Sequence, residues 1–485
     1  MTSENKASPS IAIVGTGFGG LAAAIELKKA GYTDLVIFER ADGVGGVWRE
    51  NTYPGAACDV PSPYYSFSFE PNPLWPRRFS EQPAILDYLR GVADEYDIKR
   101  HIRFSTAVTG ADFDESTSRW TVRTSGGDVE VDVVISAVGQ LSRPSWPNIK
   151  GRDTFEGASF HSAEWDHSVD LAGKRVAVIG TGASAIQFVP EIQPQVARLS
   201  LFQRTPPYVL PRPDTEFSAR HHKVFTRVPL TQRAERLGWF GITETMGIAF
   251  LYARPLSKAI EQACRTHLKY QVKDKVLRAK LWPDYPVGCK RILFSSNYLP
   301  SLTQPNVEVV TEGIDEITPT GVRTTDGVNH DVDVIIFGTG FTASDFLAPM
   351  QIRGRGGKEL REQWAGGAQA YLGMSVVDFP NLFLMYGPNT NLGSGSIVTM
   401  LESQARYIGK AIAHSQATGR PISVRGEVAE KFDRSLQERL VDGVWSKCSS
   451  WYRNANGRVS SNWPGTVTEY RRRTAKFDAS DFTTV

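Results

Sequence analysis

Four short runs of consecutive apolar residues punctuate the chain: IAIV at Ile11 to Val14, VVISAVGQ at Val133 to Gln140, RVAVIG at Arg175 to Gly180 and VIIFGTGF at Val334 to Phe341. Runs this short, with no polar alternation, read as strands buried on both faces, as in a parallel sheet. The first runs into GTGFGG, then a helical pattern from Leu21 to Ala30 that stops at Gly31, then LVIFE from Leu35 to Glu39. Strand, helix and strand in that order predict a β-α-β unit. The order recurs with the strand Arg175 to Gly180, a TGASA turn, a helix from Ile186 to Ile192 and the strand Leu199 to Arg204. The runs at Val133 and Val334 each follow an aspartate, Asp132 or Asp333, and are expected to close the two units.

Between Pro206 and Pro286 helical periodicity replaces strand patterning. The stretch LGWFGITETMGIAFLYA, Leu237 to Ala253, is too short and too polar to span a bilayer and is expected as a helix buried against protein. Lys258 to Lys280 reads as a solvated, basic helix face. After Gly340 no third glycine fingerprint occurs, so the chain is expected to return to the first unit, with Cys448 to Arg473 in loops. The expected fold class is α/β: two Rossmann-like dinucleotide-binding domains with a helical insertion in the second. The boundaries expected are 1–145 with 341–485, 146–210 with 287–340, and 211–286 for the insertion.

At 485 residues, two or three domains are expected. A net charge of +3 implies no general attraction to nucleic acid or membrane. The four cysteines, Cys58, Cys264, Cys289 and Cys448, form no CxxC pair, which argues against a zinc site and a redox-active dithiol and for a reducing compartment. MTSENKASPS lacks the apolar core of a signal peptide, so a soluble cytoplasmic protein is expected.

The two fingerprints differ where they select the ribose. Gly15, Gly17 and Gly20 have GxGxxG spacing, with Phe18 and Gly19 between them, and Glu39 ends the next strand 19 residues after Gly20. Such a turn brings a pyrophosphate to a helix N-terminus, and an acid at this distance accepts both ribose hydroxyls while repelling a 2′-phosphate. This site is read as taking FAD or NAD. In the second fingerprint, Gly180, Gly182 and Ala185, the following strand ends in Gln203, Arg204 and Thr205 with no acid. Arg204 can pair with a 2′-phosphate and Thr205 can donate a hydroxyl, so this site is read as taking NADPH. FAD and NADPH together imply electron entry at one site and chemistry at the other.

Two further stretches carry a family resemblance. ERADGVGGVWRENTYPGAACD, Glu39 to Asp59, resembles the flavin-side signature of class B flavoprotein monooxygenases. Phe155, Gly157, His161, Trp165 and Asp166 fit the F-x-G-x-x-x-H-x-x-x-W-[PD] fingerprint of type I Baeyer–Villiger monooxygenases. The resemblance runs from Ile11 to about Arg473. It implies oxidation of a ketone by O2 to an ester or lactone through a flavin C4a-peroxide. The alternative is the related N- or S-oxygenase chemistry, and a disulfide reductase would need a dithiol beside the flavin. On the FAD side the resemblance implies contacts from the first glycine turn, Glu39, Gly46, Val47, Trp48, Asp59, Tyr65, Val108, Gln140 and Ile397. On the NADPH side it implies Thr181, Gly182, Ala183, Ser184, Gln187, Arg204, Thr205 and Lys290, with Trp451 covering the nicotinamide ribose. Arg291, in GCKR, is implied as the active-site arginine and Asp59 as the carboxylate that holds it. Phe155 to Ser168 is expected to be a connector between the domains, with His161 structural rather than a base.

Overall fold

The computed structural model describes residues 8–252, 254–448, 452–454 and 456–485. The first apolar run forms strand β1 (Ile11–Val14), all four residues buried. It leads into helix α1 (Phe18–Lys29) and strand β2 (Leu35–Phe38). β1 pairs in parallel with β2 on one side and with strand Val133–Ser136 on the other. Strands Ile102–Arg103 and Leu382–Leu384 complete a five-stranded parallel sheet. The residue 382–384 strand brings the second half of the chain back into the first sheet.

The second sheet repeats the plan. Strand β3 (Arg175–Ile179) lies between strand β4 (Arg198–Phe202) and strand Val334–Phe337, with helix α2 (Ala185–Ile192) following β3. Val307–Val310 and Ala158–His161 form its edges. In each sheet the strand that precedes the glycine turn has its chain-order successors on opposite sides. That is a topological switch point, where α/β sheets leave a crevice at the strand carboxyl ends.

Several expectations are corrected. Ala158–His161, read as connector, is an edge strand of the second sheet, paired with Val334–Phe337. An antiparallel meander of Val108–Asp114, Arg119–Thr124 and Val129–Val131 packs beside the first sheet, joined by Gln351–Arg353. The region 206–286 is helical as expected, but Val209–Leu210 is a short strand paired with Leu293–Phe294. The long insertion helix, α3 (Pro229–Leu251), is mostly uncovered: Leu237 is 68% exposed, and only Gln232, Ala249 and Phe250 are buried. Its apolar residues are therefore not a buried stripe. The C-terminal segment is not all loop, because helix α5 (Val467–Thr474) follows the long helix α4 (Ile397–Thr418). Among the described residues no helix is long and apolar enough to cross a membrane.

Candidate active site

Both glycine turns sit at the switch points. Gly15 has φ +102°, and a Cβ there would lie 2.7 Å from the Ala137 carbonyl oxygen. Gly180 has φ +113°, and its Cβ would lie 2.4 Å from the Gly338 carbonyl oxygen. In each turn the neighbouring strand's exit crowds the first glycine, so only glycine fits both the dihedral and the space. The two turns are the same device built twice.

The residues expected on the FAD side converge. Glu39 is buried, and its carboxylate accepts from Thr16 N at 3.0 Å, Thr16 Oγ1 at 2.6 Å and Ala41 N at 2.9 Å. Three donors hold it beside the turn, where it can meet ribose hydroxyls. Gly17 and Gly46 face one another, so a Cβ on Gly46 would stand 3.0 Å from the Gly17 Cα. Val47 and Trp48 open the single-turn helix that follows Gly46. Trp48 Nε1 donates to Tyr65 Oη at 3.2 Å, and Tyr65 packs edge-on against Phe18 with centroids 5.1 Å apart. Gly19 faces Met385 and Leu401 across a gap that a Cβ would fill. Thr106 N donates to the Glu39 carbonyl at 2.8 Å, and Val108 follows two residues later, half-buried. Gln140 Nε2 donates to the Tyr386 and Gly387 carbonyls at 2.9 and 3.2 Å, while its buried Oε1 has no partner. Ile397 begins α4 and is half-buried against the same core. A glycine cradle, an anchored acid and an aromatic wall fit FAD.

The second turn is more open. Gly182 and Ala183 are exposed, Ser184 precedes α2, and a Cβ on Gly182 would find nothing nearer than 4.0 Å. Thr181 Oγ1 donates to the Thr205 carbonyl at 2.9 Å, which ties the turn to the selectivity position. The Lys290 ammonium is pushed below the usual lysine range, first by burial and then by the neighbouring Arg204 charge, with Asp284 partly offsetting both. Two cations drawn together beside an open turn suit a 2′-phosphate. Gln187 stands apart from this group. It accepts from Tyr53 Oη at 2.9 Å and Ala57 N at 3.3 Å and donates to the Ala57 carbonyl at 2.9 Å. Its side chain thus fastens α2 to the 53–57 loop. Trp451 lies outside the described residues.

Between the two turns, Arg291 and Asp59 meet across 232 residues of sequence. Arg291 Nε and Nη2 donate to the two Asp59 carboxylate oxygens, each at 2.8 Å. This is the parallel fork that guanidinium and carboxylate geometry favours. Arg291 is held well above the ordinary arginine range, chiefly by the Asp59 charge, which outweighs the opposing effect of burial. Tyr386 and Tyr452 also face it, and burial raises both of their pKa values. Tyr386 is locked by a network: its N donates to Gln404 Oε1 at 2.9 Å, and its Oη donates to Asn391 Oδ1 at 2.7 Å. Asn391 Nδ2 then donates to Asn462 Oδ1 at 2.8 Å. Neither tyrosine was anticipated from sequence, although Tyr386 immediately precedes the GPNTN loop and Tyr452 follows Trp451.

Two more findings concern expected chemistry. His161 is fully buried, and its Nδ1 accepts from Ala163 N at 3.0 Å. Burial lowers its pKa to about 4, partly opposed by the Gly340 carbonyl, which makes no full hydrogen bond to the buried Nε2. A neutral imidazole wedged against Trp146, with centroids 5.5 Å apart, agrees with a structural role. Cys289 and Cys448 form a disulfide spanning 159 residues, a pairing not expected from the sequence. Sequence spacing could not reveal a pair that only the tertiary fold brings together.

Residues 12–222 match the family model described as pyridine nucleotide-disulphide oxidoreductase. That segment contains one cysteine, Cys58, so it carries no dithiol of its own. A Baeyer–Villiger monooxygenase of Streptomyces coelicolor is 45% identical, over 97% of this chain and 92% of that protein. A Baeyer–Villiger monooxygenase of Pseudomonas aeruginosa is also 45% identical, over 97% of this chain and 90% of its own. The chain belongs to the Baeyer–Villiger monooxygenases. Solved structures agree with that membership. An oxidized steroid monooxygenase bound to NADP superposes with a TM-score of 0.88 at 32% identity, covering 99% of this chain and 100% of that one. A closed cyclohexanone monooxygenase gives 0.88 at 31% identity, covering 98% and 99%. As a Baeyer–Villiger monooxygenase the protein uses FAD and NADPH to insert one atom of O2 beside a ketone carbonyl, and the N- or S-oxygenase alternative is not favoured. The two differently built ribose positions are what such an enzyme requires.

Proposed function

We propose that Arg291, held by Asp59, is the residue that stabilises negative charge during oxygen insertion. The net reaction consumes a ketone, O2, NADPH and a proton, and yields an ester or lactone, NADP⁺ and water. When bound, reduced flavin supplies the activated oxygen and NADPH supplies the hydride. The observation that carries the assignment is the leftover donor. Asp59 takes Nε and Nη2 of Arg291, and Nη1 keeps no protein partner among the described residues. A guanidinium fixed at one edge presents its other edge in a defined direction, and it stays charged at every working pH. A preorganised donor aimed at a developing oxyanion lowers the barrier without reorganisation during the reaction. Asp59 positions Arg291 and offsets its charge in the resting enzyme.

The remaining expected contacts follow the two turns. Gly15, Gly17, Phe18, Gly19, Gly20, Glu39, Gly46, Val47, Trp48, Tyr65, Val108, Gln140 and Ile397 form the FAD side. Thr181, Gly182, Ala183, Ser184, Arg204, Thr205 and Lys290 form the NADPH side, with Gln187 coupling the two. Strand pairing supports the division into 1–145 with 341–485 and 146–210 with 287–340, because Leu382–Leu384 joins the first sheet and Val334–Phe337 the second. The helices between 211 and 286 make the insertion.

The test is a panel of linear, cyclic and aryl ketones with NADPH and O2, read by product mass for one added oxygen atom. Arg291→Ala should lose oxygenated product by roughly 100- to 1000-fold while keeping its flavin absorbance. Full oxygenation by that variant would end the assignment.

A further inference from the structure

Away from Arg291 and Asp59, a cavity of about 500 Å³ opens between the insertion helix α3, helix α4 and helix α5. Four cations line it: Arg236 from α3, Arg406 and Lys410 from α4, and Arg471 from α5. Among the described residues the only carboxylate in the lining is Glu402, and it is already engaged. Its two oxygens accept from Ser68 N at 2.5 Å and Ser68 Oγ at 2.6 Å, and Arg406 lies 3.7 Å away. Four positive charges against one negative leave a surplus of three facing one space.

Arg236 is the deepest of the four. Its Nη1 donates to the carbonyls of Pro63, Tyr64 and Ser66 at 3.0, 3.4 and 2.9 Å, and no carboxylate among the described residues is within ion-pair distance. Burial lowers its pKa, and the Arg471 charge adds to that, although Glu402 opposes both. A half-buried guanidinium held by three carbonyls and the Ser66 hydroxyl, with a second cation at its side, lacks a counter-ion. Arg471 has no hydrogen bond or ion pair of its own among the described residues. Lys410 donates to the Ala475 carbonyl at 2.6 Å, which leaves its charge unmatched.

The rest of the lining mixes carbon and hydroxyl surface, with Tyr64, Leu237, Phe240 and Ala475 beside Ser68, Thr399, Ser403 and Thr474. Phe240 packs edge-on to Tyr64 with centroids 6.0 Å apart, and Leu237 forms an exposed lip. Two buried hydroxyls in the lining, Tyr64 Oη and Thr399 Oγ1, approach one another without a full hydrogen bond. Four cations, the carbon surface of Leu237 and Phe240 and two idle hydroxyls facing one space suit a ligand with a charged head and an apolar body.

We propose that this cavity is a binding site for a small organic anion, a carboxylate or phosphate monoester carried on an apolar chain or ring, separate from the oxygenation site. The head would sit among Arg236, Arg406 and Arg471, and the body along Phe240 and Leu237. Because Arg236 also grips the 63–66 loop beside Tyr65, an occupied site would brace that loop against the insertion.

The experiment is calorimetric titration of the FAD-loaded enzyme with octanoate, octyl phosphate, octanol and inorganic phosphate. It is repeated on the Arg406→Gln, Arg471→Gln double variant, whose changes lie outside the catalytic machinery. At least one of octanoate and octyl phosphate should bind with one site per chain. Octanol and inorganic phosphate should each bind at least about tenfold more weakly than that ligand, and the double variant should weaken it by about tenfold or more. Flavin absorbance and NADPH oxidation should match the parent, which separates loss of this site from misfolding and from failure of the oxygenation assignment. No binding of either anion, equal binding of octanol, equal binding of inorganic phosphate, or unchanged affinity in the double variant would each overturn the proposal.

Discussion

The Arg204 charge lies close enough to Lys290 to help lower the lysine's pKa, and that repulsion has a use only when an anion sits between them. A 2′-phosphate would relieve it, whereas a ribose hydroxyl would not. Losing one charge-assisted contact of this kind costs about 1.5–3 kcal/mol, roughly 10- to 150-fold in affinity. Arg204→Ala and Lys290→Ala should each raise the KM for NADPH by about that factor and leave the KM for NADH nearly unchanged, as steady-state kinetics with both cofactors will measure. His161 makes a second prediction at this scale. Its pKa falls from an ordinary 6.5 to about 4 on folding, so the unfolded chain binds the extra proton between those values. The stability gained by burying the neutral ring is complete above pH 6.5 and is lost as pH falls toward 4. Between pH 7 and 5 the loss is about 2 kcal/mol. His161→Asn keeps an acceptor near Ala163 N and removes the titration, so its Tm should fall less than the parent's over that interval. An equal fall in both would exclude His161 as the source.

At the scale of elements, the paired glycine turns separate the two cofactors experimentally. Gly15→Ala forces a β-carbon against the Ala137 carbonyl, and Gly180→Ala forces one against the Gly338 carbonyl, each at a positive φ that alanine tolerates poorly. Gly180→Ala should purify with flavin bound but show NADPH affinity weakened by about tenfold or more, while Gly15→Ala should lose flavin. Flavin retained in both, with normal NADPH affinity, would show the turns to be dispensable. These turns were legible in the sequence because a contiguous apolar run, a glycine cluster and a helix are all local signals. The strand Ala158–His161 was not, since its partner, Val334–Phe337, lies far along the chain and its own residues alternate poorly. Strands of two or three residues, such as Ile102–Arg103 and Leu382–Leu384, carry too little pattern to be read before the sheet they join is known. The insertion helix α3 was read correctly as a helix and wrongly as buried, because apolar residues on a cavity lip look like core residues in one dimension. Arg291 and Asp59 were found through motif resemblance, whereas Tyr386, Tyr452 and the cationic cavity are products of packing.

At the scale of the whole molecule, one covalent link joins the halves that the sequence kept apart. Cys289 is two residues before Arg291, and Cys448 lies just ahead of the segment that carries Tyr452. Both belong to a small apolar cluster with Tyr208, Phe250 and Tyr285, so the bridge ties the arginine's segment and the insertion to the C-terminal chain. A cross-link between residues so distant removes a large share of the unfolded chain's freedom, and losing such a bridge typically costs about 2–5 kcal/mol. Cys448→Ser should therefore lower Tm measurably, and a thiol reductant should do the same to the parent but not to the variant. Its hydrogen exchange should quicken around residues 444–448 and 456–459, which flank the freed bridge. Since Arg291 is gripped independently by Asp59, oxygenation should survive at low temperature while the thermal ceiling drops. Intact peptide mapping under non-reducing conditions will show the Cys289–Cys448 peptide pair if the bridge forms, and free thiols at both positions would remove the basis for the stability difference.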